Sequence, residues 1–460
     1  MIADQFTFAN VRLVARAIAD YLADQGLQGR PVIVGYDTRF LSDRFAREAA
    51  AVLAERGWTV LLTERDVPTP VVSHAILDRR AAGGVNITAS HNPPEYNGVK
   101  FSPAWGGPAL PETTRWIEAR IAALGDESEV PGAVRPGEPT GSIAPFDPRD
   151  AYLAHLRTII DFPVIRAAKL RVAVDVLYGT ARGYLDALLK AEGCDVTVLH
   201  DQRDPLFGGS APDPSERRLT ELAALMREGR YHLGLATDGD ADRFGVLDAD
   251  GTYVTANEVL ALVVNYLIET RGAKGGVARS VATSHLVDAV ARHHGREVYE
   301  TGVGFKYIGR LIADGKLVAG GEEAQGLTIG GHVPDKDGII ACLLLTEMAA
   351  RTGKPLRRQL EELTAQVGPR HYRRVDRPLA PNEATALAAR LKGLSAVGGF
   401  PIARRAEVEG ILKFYFGDGS WMIIRPSGTE PVVRVYAEAV SAERVDELLA
   451  AGCALLTPGM

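Results

Sequence analysis

The stretch Gly84-Val85-Asn86-Ile87, followed at once by Thr88-Ala89-Ser90-His91-Asn92-Pro93, decides how this sequence is interpreted. The first four residues predict a buried strand, and the proline stops regular structure because it fixes its own φ and restricts the residue before it. A short rigid loop therefore follows the strand. Such a loop can present the Ser90 hydroxyl as a nucleophile. It can also be a plain turn in which serine and asparagine bond to the backbone, and the hexapeptide alone leaves both interpretations open.

Strands alternate with helices ahead of this loop. Hydrophobic periodicity predicts helices near residues 7–25, 43–56 and 71–79, and strands near 31–34, 58–62 and 84–87. The pattern recurs twice, with strands near 170–175, 195–199 and 231–236, and then near 276–283, 297–300 and 317–319. Alternation of this kind is typical of parallel sheets with right-handed crossovers. The sequence therefore predicts an α/β protein with three tandem units of similar topology.

The last part of the chain has a different pattern. Asp418-Gly419 lies between two apolar runs and is typical of a type I′ hairpin, and a third strand and a closing helix follow it. We therefore expect a smaller α+β domain at the end. The stretch 126–148, rich in proline and glycine, and the Asp250-Gly251 turn are interpreted as linkers. The predicted domains are 1–146, 147–252, 253–366 and 367–460.

Composition limits the classes of function. At 460 residues, a prior of roughly 100–200 residues per domain predicts three or four domains. A net charge of −6 disfavours nucleic-acid and membrane partners, and the apolar run near 339–345 is shorter than the roughly 18 residues that a membrane span needs. Three well-separated cysteines without a CxxC pair disfavour a disulfide framework and a zinc site. With no signal-peptide pattern at the start, a cytoplasmic protein is expected.

Three aspartates alternate in the loop after the last strand of the second unit. Asp238, Asp240 and Asp242 offer hard oxygen ligands of the kind that Mg²⁺ prefers. An EF-hand is excluded because Arg243 and Ala249 occupy the positions of its glycine and glutamate. A solvated acidic turn is the alternative, although three neighbouring carboxylates repel one another unless a cation is present.

A phosphate-binding stretch is predicted in the last domain. Arg425 begins the sequence RPSGT and offers a planar fork for phosphate oxygens, and Ser427 and Thr429 offer hydroxyl donors. Gly428 lets backbone N–H groups approach closely. Arg434 can reach the same anion or pair with an acid. An ordinary loop is the alternative interpretation.

Other phosphate-binding signatures are incomplete. Gly315-Lys316 and Gly353-Lys354 lack the Ser or Thr that follows in a Walker loop, and the segment that starts at Gly302 breaks the dinucleotide fingerprint at its third glycine. Nucleotide-dependent kinases and nicotinamide dehydrogenases are therefore disfavoured. A serine in a rigid loop, a Mg²⁺ site and a separate phosphate site together predict phosphoryl transfer through a phosphoserine.

Four motifs, in this order, resemble those of the α-D-phosphohexomutases, the phosphoglucomutase and phosphomannomutase family. They are TASHNP at 88–93, TDGDADR at 237–243, GGEE at 320–323 and RPSGTEP at 425–431. The resemblance extends over nearly the whole chain. It implies three mixed α/β-sandwich domains and a smaller α+β C-terminal domain around a central cleft.

The resemblance also implies a reaction. Ser90 would carry a phosphoryl group, pass it to a hexose monophosphate and recover the other phosphate from a hexose 1,6-bisphosphate intermediate. Mg²⁺ would be held by Ser90 and the three aspartates Asp238, Asp240 and Asp242. Arg243 would lie beside the reacting group. His91 and Lys100 are candidates for proton transfer and charge stabilisation, or else a structural partner and a surface charge.

The remaining residues are implied to bind the substrate. Thr301, Gly302 and Glu322 would face the sugar. The non-reacting phosphate would be held by Arg425, Ser427, Gly428 and Thr429, with Arg434 as a further candidate. The expected partner is a hexose monophosphate, with no nucleic acid and no membrane, and the expected assembly is a monomer or a homodimer.

Two departures from the family pattern affect these expectations. The family usually opens with a Gly-Thr-(Ser/Asp)-Gly-x-Arg-Gly type segment, which would precede Ile2. The expectation is therefore an N-terminally short member, either because the start codon was placed too late or because the protein is a truncated form with impaired activity. Arg39 lies at another strand end and is not assigned the role of the missing arginine. Ala324 replaces a serine that would contact the sugar, a loss of about 0.5–1.5 kcal/mol.

The choice of hexose rests on local likeness. Residues 301–307 and 330–338 resemble the phosphoglucomutase branch, which favours glucose 1-phosphate and glucose 6-phosphate. The alternatives are a phosphomannomutase, a phosphoglucosamine mutase, or a sugar-phosphate-binding protein that has lost turnover.

Overall fold

The structure is a computed structural model that describes residues 1–127, 141–379, 383–427 and 432–456. The chain divides into two compact units. The first contains Met1–Ala256, Phe305–Lys316 and Ala324–Arg358, and the second contains Asn257–Gly304, Leu317–Glu323 and Gln359–Met460.

The first sheet is mixed and is flanked by helices. Its elements are α1 (Phe8–Asp24), β1 (Val32–Tyr36), α2 (Ser42–Glu55), β2 (Thr59–Thr63), α3 (Thr69–Asp78), β3 (Gly83–Ile87), β4 (Val99–Pro103), α4 (Pro111–Glu127) and β5 (Ser142–Phe146). The strand order is β4-β3-β1-β2-β5, and only β4 runs antiparallel to its neighbour. Buried apolar side chains of α1, α2 and the strands form its core.

The predicted helices and parallel strands of this sheet are confirmed, with ends shifted by one or two residues. Two elements correct the predictions. Residues 126–148 were expected to be a linker, but β5 lies within them and pairs with β2. The strand β4 was not predicted, although its alternating polarity is typical of a strand, because it is only five residues long and follows closely on the Pro93-Pro94 turn.

The second sheet repeats this architecture. Its elements are α5 (Arg149–Ile159), α6 (Phe162–Ala168), β6 (Arg171–Asp175), α7 (Leu185–Ala191), β7 (Asp195–Leu199), α8 (Thr220–Gly229), β8 (Leu233–Thr237), β9 (Phe244–Leu247) and β10 (Tyr253–Val254). The order is β10-β9-β8-β6-β7, with β6, β7 and β8 parallel and β9 and β10 antiparallel. The aspartate loop is therefore the connection of an antiparallel pair. The predicted domain boundary at 252 falls just before β10.

The third group of elements is divided between the units. It contains α9 (Ala256–Arg271), β11 (Gly276–Ser280), α10 (Leu286–His293), β12 (Val298–Thr301), α11 (Phe305–Ala313), β13 (Leu317–Glu322), β14 (Gly326–Ile329), α12 (Gly338–Thr352) and α13 (Leu356–Val367). In the second unit, β11 pairs in parallel with β12 and β13. In the first unit, the buried helix α12 packs on β8, β9 and α6.

Two strand ends were predicted wrongly in this group. The strand expected at 276–283 ends three residues earlier, at Ser280 of β11. A strand was expected at 317–319 with a loop after it, but β13 continues to Glu322. The reason is backbone pairing, since Gly321 lies opposite Arg279 of β11.

The last sheet is antiparallel and belongs to the second unit. Its elements are β15 (His371–Pro378), α14 (Glu383–Gly393), β16 (Ala396–Val397), β17 (Phe400–Val408), β18 (Ile411–Phe416), β19 (Trp421–Pro426), β20 (Val432–Ala439) and α15 (Ala442–Ala454). The order is β15-β20-β19-β18-β17-β16. The predicted hairpin of β18 and β19 and the closing helix are confirmed. Three mixed or parallel sheets with helices, followed by this α+β domain, confirm the predicted fold class.

A buried lysine joins two parts of the second unit. The Lys413 side chain of β18 is fully buried, and its Nζ donates to the Val281 carbonyl at 2.8 Å and lies 2.9 Å from Nε2 of His285. On the neighbouring strands, Nε1 of Trp421 donates to Glu438 at 2.9 Å. These contacts fasten the last sheet to the segment that follows β11.

Within the described ranges, no helix is both long and apolar enough to cross a membrane.

Candidate active site

The predicted nucleophile loop is well defined. Ser90 follows β3, has a left-handed φ of 53°, and is 8% exposed. Its backbone N–H donates to Oγ1 of Thr88 at 2.9 Å. Its Oγ donates to Oδ2 of Asp238 at 2.7 Å. The loop therefore directs the serine hydroxyl at the aspartate cluster.

The three predicted aspartates form one cluster. Asp238, Asp240 and Asp242 are buried, and one ligand oxygen from each lies within 4.8 Å of the others. The loop reverses tightly, with Ala241 at φ 58° and the Arg243 N–H donating to Oδ1 of Asp238 at 3.0 Å. The alternative of a solvated acidic turn is wrong, because these side chains are closed off from solvent.

One oxygen of each of the two later aspartates is held by donors. Oδ2 of Asp240 accepts from Oγ1 of Thr69 at 2.5 Å and from Nζ of Lys100 at 2.6 Å. Oδ2 of Asp242 accepts from Lys100 at 2.8 Å and lies 3.2 Å from Nζ of Lys336. Each carboxylate is thereby fixed in orientation.

The other oxygen of each is free to bind a ligand. Oδ1 of Asp240 and Oδ1 of Asp242 are buried and have no hydrogen-bond partner among the residues that the structure describes. A buried, unsatisfied carboxylate oxygen is costly, and a bound cation removes that cost. The donor set is all carboxylate oxygen, which fits a hard divalent cation such as Mg²⁺.

Burial and mutual repulsion shift the pKa values in this cluster. Burial, followed by Asp240 and Asp242, raises the pKa of Asp238 well above its usual range. Burial also acts to raise the pKa of Asp242, but Lys100 and Lys336 outweigh it and hold that pKa below its usual value. Asp242 is thus in contact with the ammonium groups of both lysines.

His91 lies beside the serine. Nδ1 of His91 lies 3.4 Å from Oγ of Ser90. Burial and the Arg243 guanidinium lower the pKa of His91 to about 4, so the imidazole is neutral at neutral pH. Nε of Arg243 is buried and has no hydrogen-bond partner among the described residues. A neutral ring nitrogen therefore lies beside the hydroxyl, and Arg243 offers a buried donor at the end of the aspartate loop.

Two residues of this site were missed from the sequence. Thr69 starts α3, and its N–H also donates to the Asp240 carbonyl at 2.9 Å. Lys336 lies just before α12, whose first residue, Gly338, donates its N–H to the Ala241 carbonyl at 3.0 Å. Neither has a sequence signal of its own, because each contact joins elements far apart in the chain.

The predicted sugar-binding residues lie in the second unit. Thr301 ends β12 and its Oγ1 donates to the Gly302 carbonyl at 3.0 Å. Glu322 ends β13 and its Oε1 accepts from the Gly304 N–H at 2.8 Å. The structure therefore brings Glu322 and the loop at 302–304 together. Their convergence with Ser90 stays a prediction.

The two arginines predicted to bind phosphate lie on one strand pair. Arg425 of β19 is directly opposite Arg434 of β20. Nη2 of Arg425 donates to Oη of Tyr436 at 3.1 Å, while Nε of Arg425 is buried with no hydrogen-bond partner in the described part of the chain. Nε of Arg434 is 3.8 Å from Oδ2 of Asp376. Like charges directly opposite on a sheet repel each other and are destabilising. An anion bound between the two guanidinium groups would offset this repulsion.

The rest of the predicted phosphate loop is described only in part. The Ser427 N–H donates to the Val432 carbonyl at 2.8 Å. Gly428 and Thr429 lie outside the described residues, and their roles stay predictions.

Comparison with known proteins identifies the family. The domain models of phosphoglucomutase/phosphomannomutase match in sequence: alpha/beta/alpha domain I over residues 1–127, domain II over 150–251, domain III over 255–367 and the C-terminal domain over 374–454. This chain belongs to the phosphoglucomutase/phosphomannomutase family. It is therefore a phosphohexomutase, an isomerase-class enzyme, which confirms the predicted family and enzyme class.

Full-length relatives agree with this assignment. A "Phosphoglucomutase" from Komagataeibacter xylinus is 33% identical over 94% of this chain and 84% of the relative. A "Probable phosphoglucosamine mutase" from Methanopyrus kandleri is 32% identical over 94% and 90%. A crystal structure of a candidate phosphomannomutase from Thermus thermophilus is 33% identical, with a TM-score of 0.85 over 99% of this chain and 96% of that one. The relatives therefore carry different substrate names.

Proposed function

We propose that this phosphohexomutase interconverts the 1- and 6-phosphates of a hexose, with glucose preferred, through a phosphoserine at Ser90. The observation that carries the proposal is the 2.7 Å hydrogen bond that Oγ of Ser90 donates to Asp238 within the buried aspartate cluster. A serine hydroxyl held against a cation site is what a phosphoryl carrier requires.

Each half-reaction exchanges one bond for another. A hexose hydroxyl attacks the phosphoserine phosphorus, the new P–O bond forms to the sugar oxygen, and the P–O bond to Oγ of Ser90 breaks. The proton that the sugar hydroxyl loses is taken up by Oγ of Ser90, the leaving oxygen. The resulting hexose 1,6-bisphosphate reorients, and Oγ of Ser90 attacks its other phosphate. A P–O bond forms to Oγ, the P–O bond to the sugar oxygen breaks, that oxygen takes up the serine proton, and the hexose monophosphate leaves. The serine is thereby phosphorylated again.

Mg²⁺ fits the cluster, and Asp238, Asp240 and Asp242 would hold it together with the phosphoryl group on Ser90. When bound, it would neutralise charge on the transferring phosphoryl group. Lys100 fixes two of the carboxylates, and Arg243, which directly follows Asp242, would offer a buried donor to the phosphoryl group. His91, 3.4 Å from Oγ of Ser90, is our candidate for proton transfer.

Substrate binding is assigned to residues of the second unit. Thr301, Gly302 and Glu322 would contact the sugar. The non-reacting phosphate would be bound by Arg425, Ser427, Gly428, Thr429 and Arg434. The opposed pair of arginines on β19 and β20 supports this assignment.

The preference for glucose is supported by the relative named phosphoglucomutase. A phosphomannomutase is the second candidate, because the Thermus thermophilus structure carries that name at the same identity. Ala324 removes one sugar-binding hydroxyl expected from the family motif, so selectivity between the two hexoses is expected to be modest.

Replacement of the serine tests the proposal. Mutase turnover is measured with glucose 1-phosphate, mannose 1-phosphate and glucosamine 1-phosphate, for the wild type, Ser90→Ala and Ser102→Ala. Ser102 is also 8% exposed and serves as the matched control. We expect Ser90→Ala to lose activity, and intact mass to show one phosphate on the wild type after incubation with glucose 1,6-bisphosphate. Wild-type turnover in Ser90→Ala would exclude this mechanism.

A further inference from the structure

We propose that Arg39 is the positioning residue of the Ser90 loop, which it holds through backbone carbonyl groups rather than by binding phosphate. This inference rests on the proposed function of Ser90 as the phosphoryl carrier. Arg39 follows β1, and its side chain is fully buried.

Every N–H of the guanidinium is used. Nη1 donates to the carbonyls of Pro93 at 2.7 Å and Tyr96 at 3.0 Å. Nη2 donates to the carbonyls of Ser90 and Asn92, both at 2.6 Å. Nε donates to a carboxylate. Because a guanidinium has five N–H donors, none is left for a phosphate.

Asp37 connects to Ser90 by two routes. Oδ2 of Asp37 accepts from Nε of Arg39 at 3.0 Å, and Arg39 in turn binds the Ser90 carbonyl. The same Oδ2 accepts from Oγ1 of Thr88 at 2.7 Å, and Thr88 in turn accepts from the Ser90 N–H. Both backbone polar groups of Ser90 are therefore anchored to one carboxylate oxygen, each through a single intermediate.

Two further contacts complete the support. Oδ1 of Asp37 accepts from the Arg39 N–H at 3.0 Å and from Oγ of Ser42 at 2.9 Å. The Phe207 ring lies over the guanidinium, with 4.9 Å from its centroid to Cζ of Arg39. The guanidinium is thereby covered on one face by the ring, and all five of its N–H groups are hydrogen-bonded.

The need for this support follows from the backbone of Ser90. A left-handed φ of 53° is disfavoured for a serine, so tertiary contacts must hold it. The proposed reaction uses Oγ of Ser90 first as the leaving group and then as the attacking group. The same oxygen must therefore occupy the same position in both half-reactions, and loss of Arg39 affects turnover rather than sugar binding.

The test compares Arg39→Lys and Arg39→Ala with the wild type. We expect kcat to fall by about a hundredfold, since a displacement of 1 Å costs about that much, while KM for the hexose phosphate changes by less than about threefold. Guanidinium chloride is expected to restore part of the kcat of Arg39→Ala, and sodium chloride at equal concentration is not.

The matched control is Arg149→Lys, which is expected to leave catalysis unchanged. Arg149 also binds a backbone carbonyl, that of Gly183, through Nε and Nη2 at 3.0 and 2.7 Å. If Arg39→Ala fails to fold, Thr88→Val tests the second route from Asp37 to Ser90 with little change in side-chain volume. It is expected to show the same loss of kcat at constant KM.

The outcomes separate the two proposals. Full activity in Ser90→Ala removes the proposed function, whatever Arg39 does. If Ser90 is required and phosphorylated, a wild-type kcat in both Arg39→Lys and Thr88→Val overturns the positioning role. A raised KM with unchanged kcat in Arg39→Lys overturns it in favour of direct substrate binding.

Discussion

The ammonium of Lys336 lies 3.2 Å from Oδ2 of Asp242, and the same ammonium lies 3.5 Å from Oδ1 of Asp335. Lys336 thus links the segment before α12 to the aspartate loop, within the first unit. Both carboxylates are buried, so removal of the ammonium leaves charge that the remaining donors compensate only in part.

We therefore expect Lys336→Met to lower the free energy of unfolding by about 1.5–3 kcal/mol, the range for hydrogen bonds to charged groups. Urea unfolding measures it. The control is Lys190→Met, because Lys190 is half-exposed and forms an i,i+4 pair with Asp186. That control is expected to change stability by about 0–1 kcal/mol, and an equal effect in both variants would contradict the structural role of Lys336.

The aspartate cluster predicts Mg²⁺ binding that stabilises the fold. Saturating Mg²⁺ is expected to raise Tm, because a ligand that binds only the native state stabilises it by mass action. Asp240→Asn and Asp242→Asn are each expected to weaken Mg²⁺ affinity by at least about tenfold in calorimetric titrations. Asp250→Asn, in an exposed turn, is the control. If the cluster variants bind Mg²⁺ as the wild type does, the metal site is misassigned.

A group of histidines predicts acid sensitivity. Nε2 of His155 lies 3.0 Å from Nδ1 of His332, whose Nε2 lies 2.7 Å from Oδ2 of Asp337. Burial, then His332 and His74, lower the pKa of His155 to about 4. An unfolded histidine titrates near 6.5, so between about pH 6.5 and 4 the unfolded chain binds a proton that the folded chain does not.

Stability should therefore fall as pH falls through that window. Between about pH 6.5 and 4, His155→Asn is expected to reduce the slope of the free energy of unfolding against pH by the equivalent of up to one bound proton. Above about pH 7, the slopes of the variant and the wild type should be the same. Urea unfolding at a series of pH values gives the slope. His371→Asn, at an exposed position of β15, is expected to keep the wild-type slope. An unchanged slope in His155→Asn would rule out this source of acid sensitivity.

Gly338 predicts a steric limit on α12. A Cβ at this position would lie 2.2 Å from the Arg243 carbonyl oxygen and 3.1 Å from that of Ala241. Backbone atoms cannot rotate away, so Gly338→Ala is expected to destabilise the protein by about 1–3 kcal/mol and to displace the aspartate loop, with loss of activity.

Gly125→Ala is the matched control, since no atom lies within 4 Å of its added Cβ and it lies in α4. That variant is expected to gain about 0.5–1 kcal/mol. Unfolding midpoints and mutase rates compare the two. Wild-type rates in Gly338→Ala would show that the aspartate loop tolerates the shift.

Local sequence signals predicted much of the fold. Apolar periodicity predicted α1, α2 and the buried parallel strands, because one face or both faces of each element are apolar. The hairpin at Asp418-Gly419 followed from turn chemistry. The end of β13 was missed because glycines carry no side-chain signal, although Gly320 and Gly321 pair with β11 through their backbone.

Local sequence patterns predicted the candidate nucleophile and the candidate metal ligands, but not the residues that hold them in position. Motifs named Ser90 and the aspartates, since acidic alternation and a proline-closed serine loop are local patterns. Thr69 and Lys336 were not found, because their contacts with Asp240 and Asp242 exist only after distant elements pack. Arg39 was seen as a charge at a strand end, and only the fold shows that it binds carbonyl groups.

The hydrogen bond from Lys413 to the Val281 carbonyl has a consequence for substrate choice. The loop at 302–304 and the Arg425–Arg434 pair belong to the same compact unit, in which this buried lysine joins the last sheet to the strands before it. With the proposed roles of these residues, one compact unit would bind both the sugar and its non-reacting phosphate. Because the reaction needs the 1-phosphate and the 6-phosphate to bind in turn, this unit would have to accept a phosphate at two distances from the ring, so the distance from ring to phosphate would not be what selects the hexose.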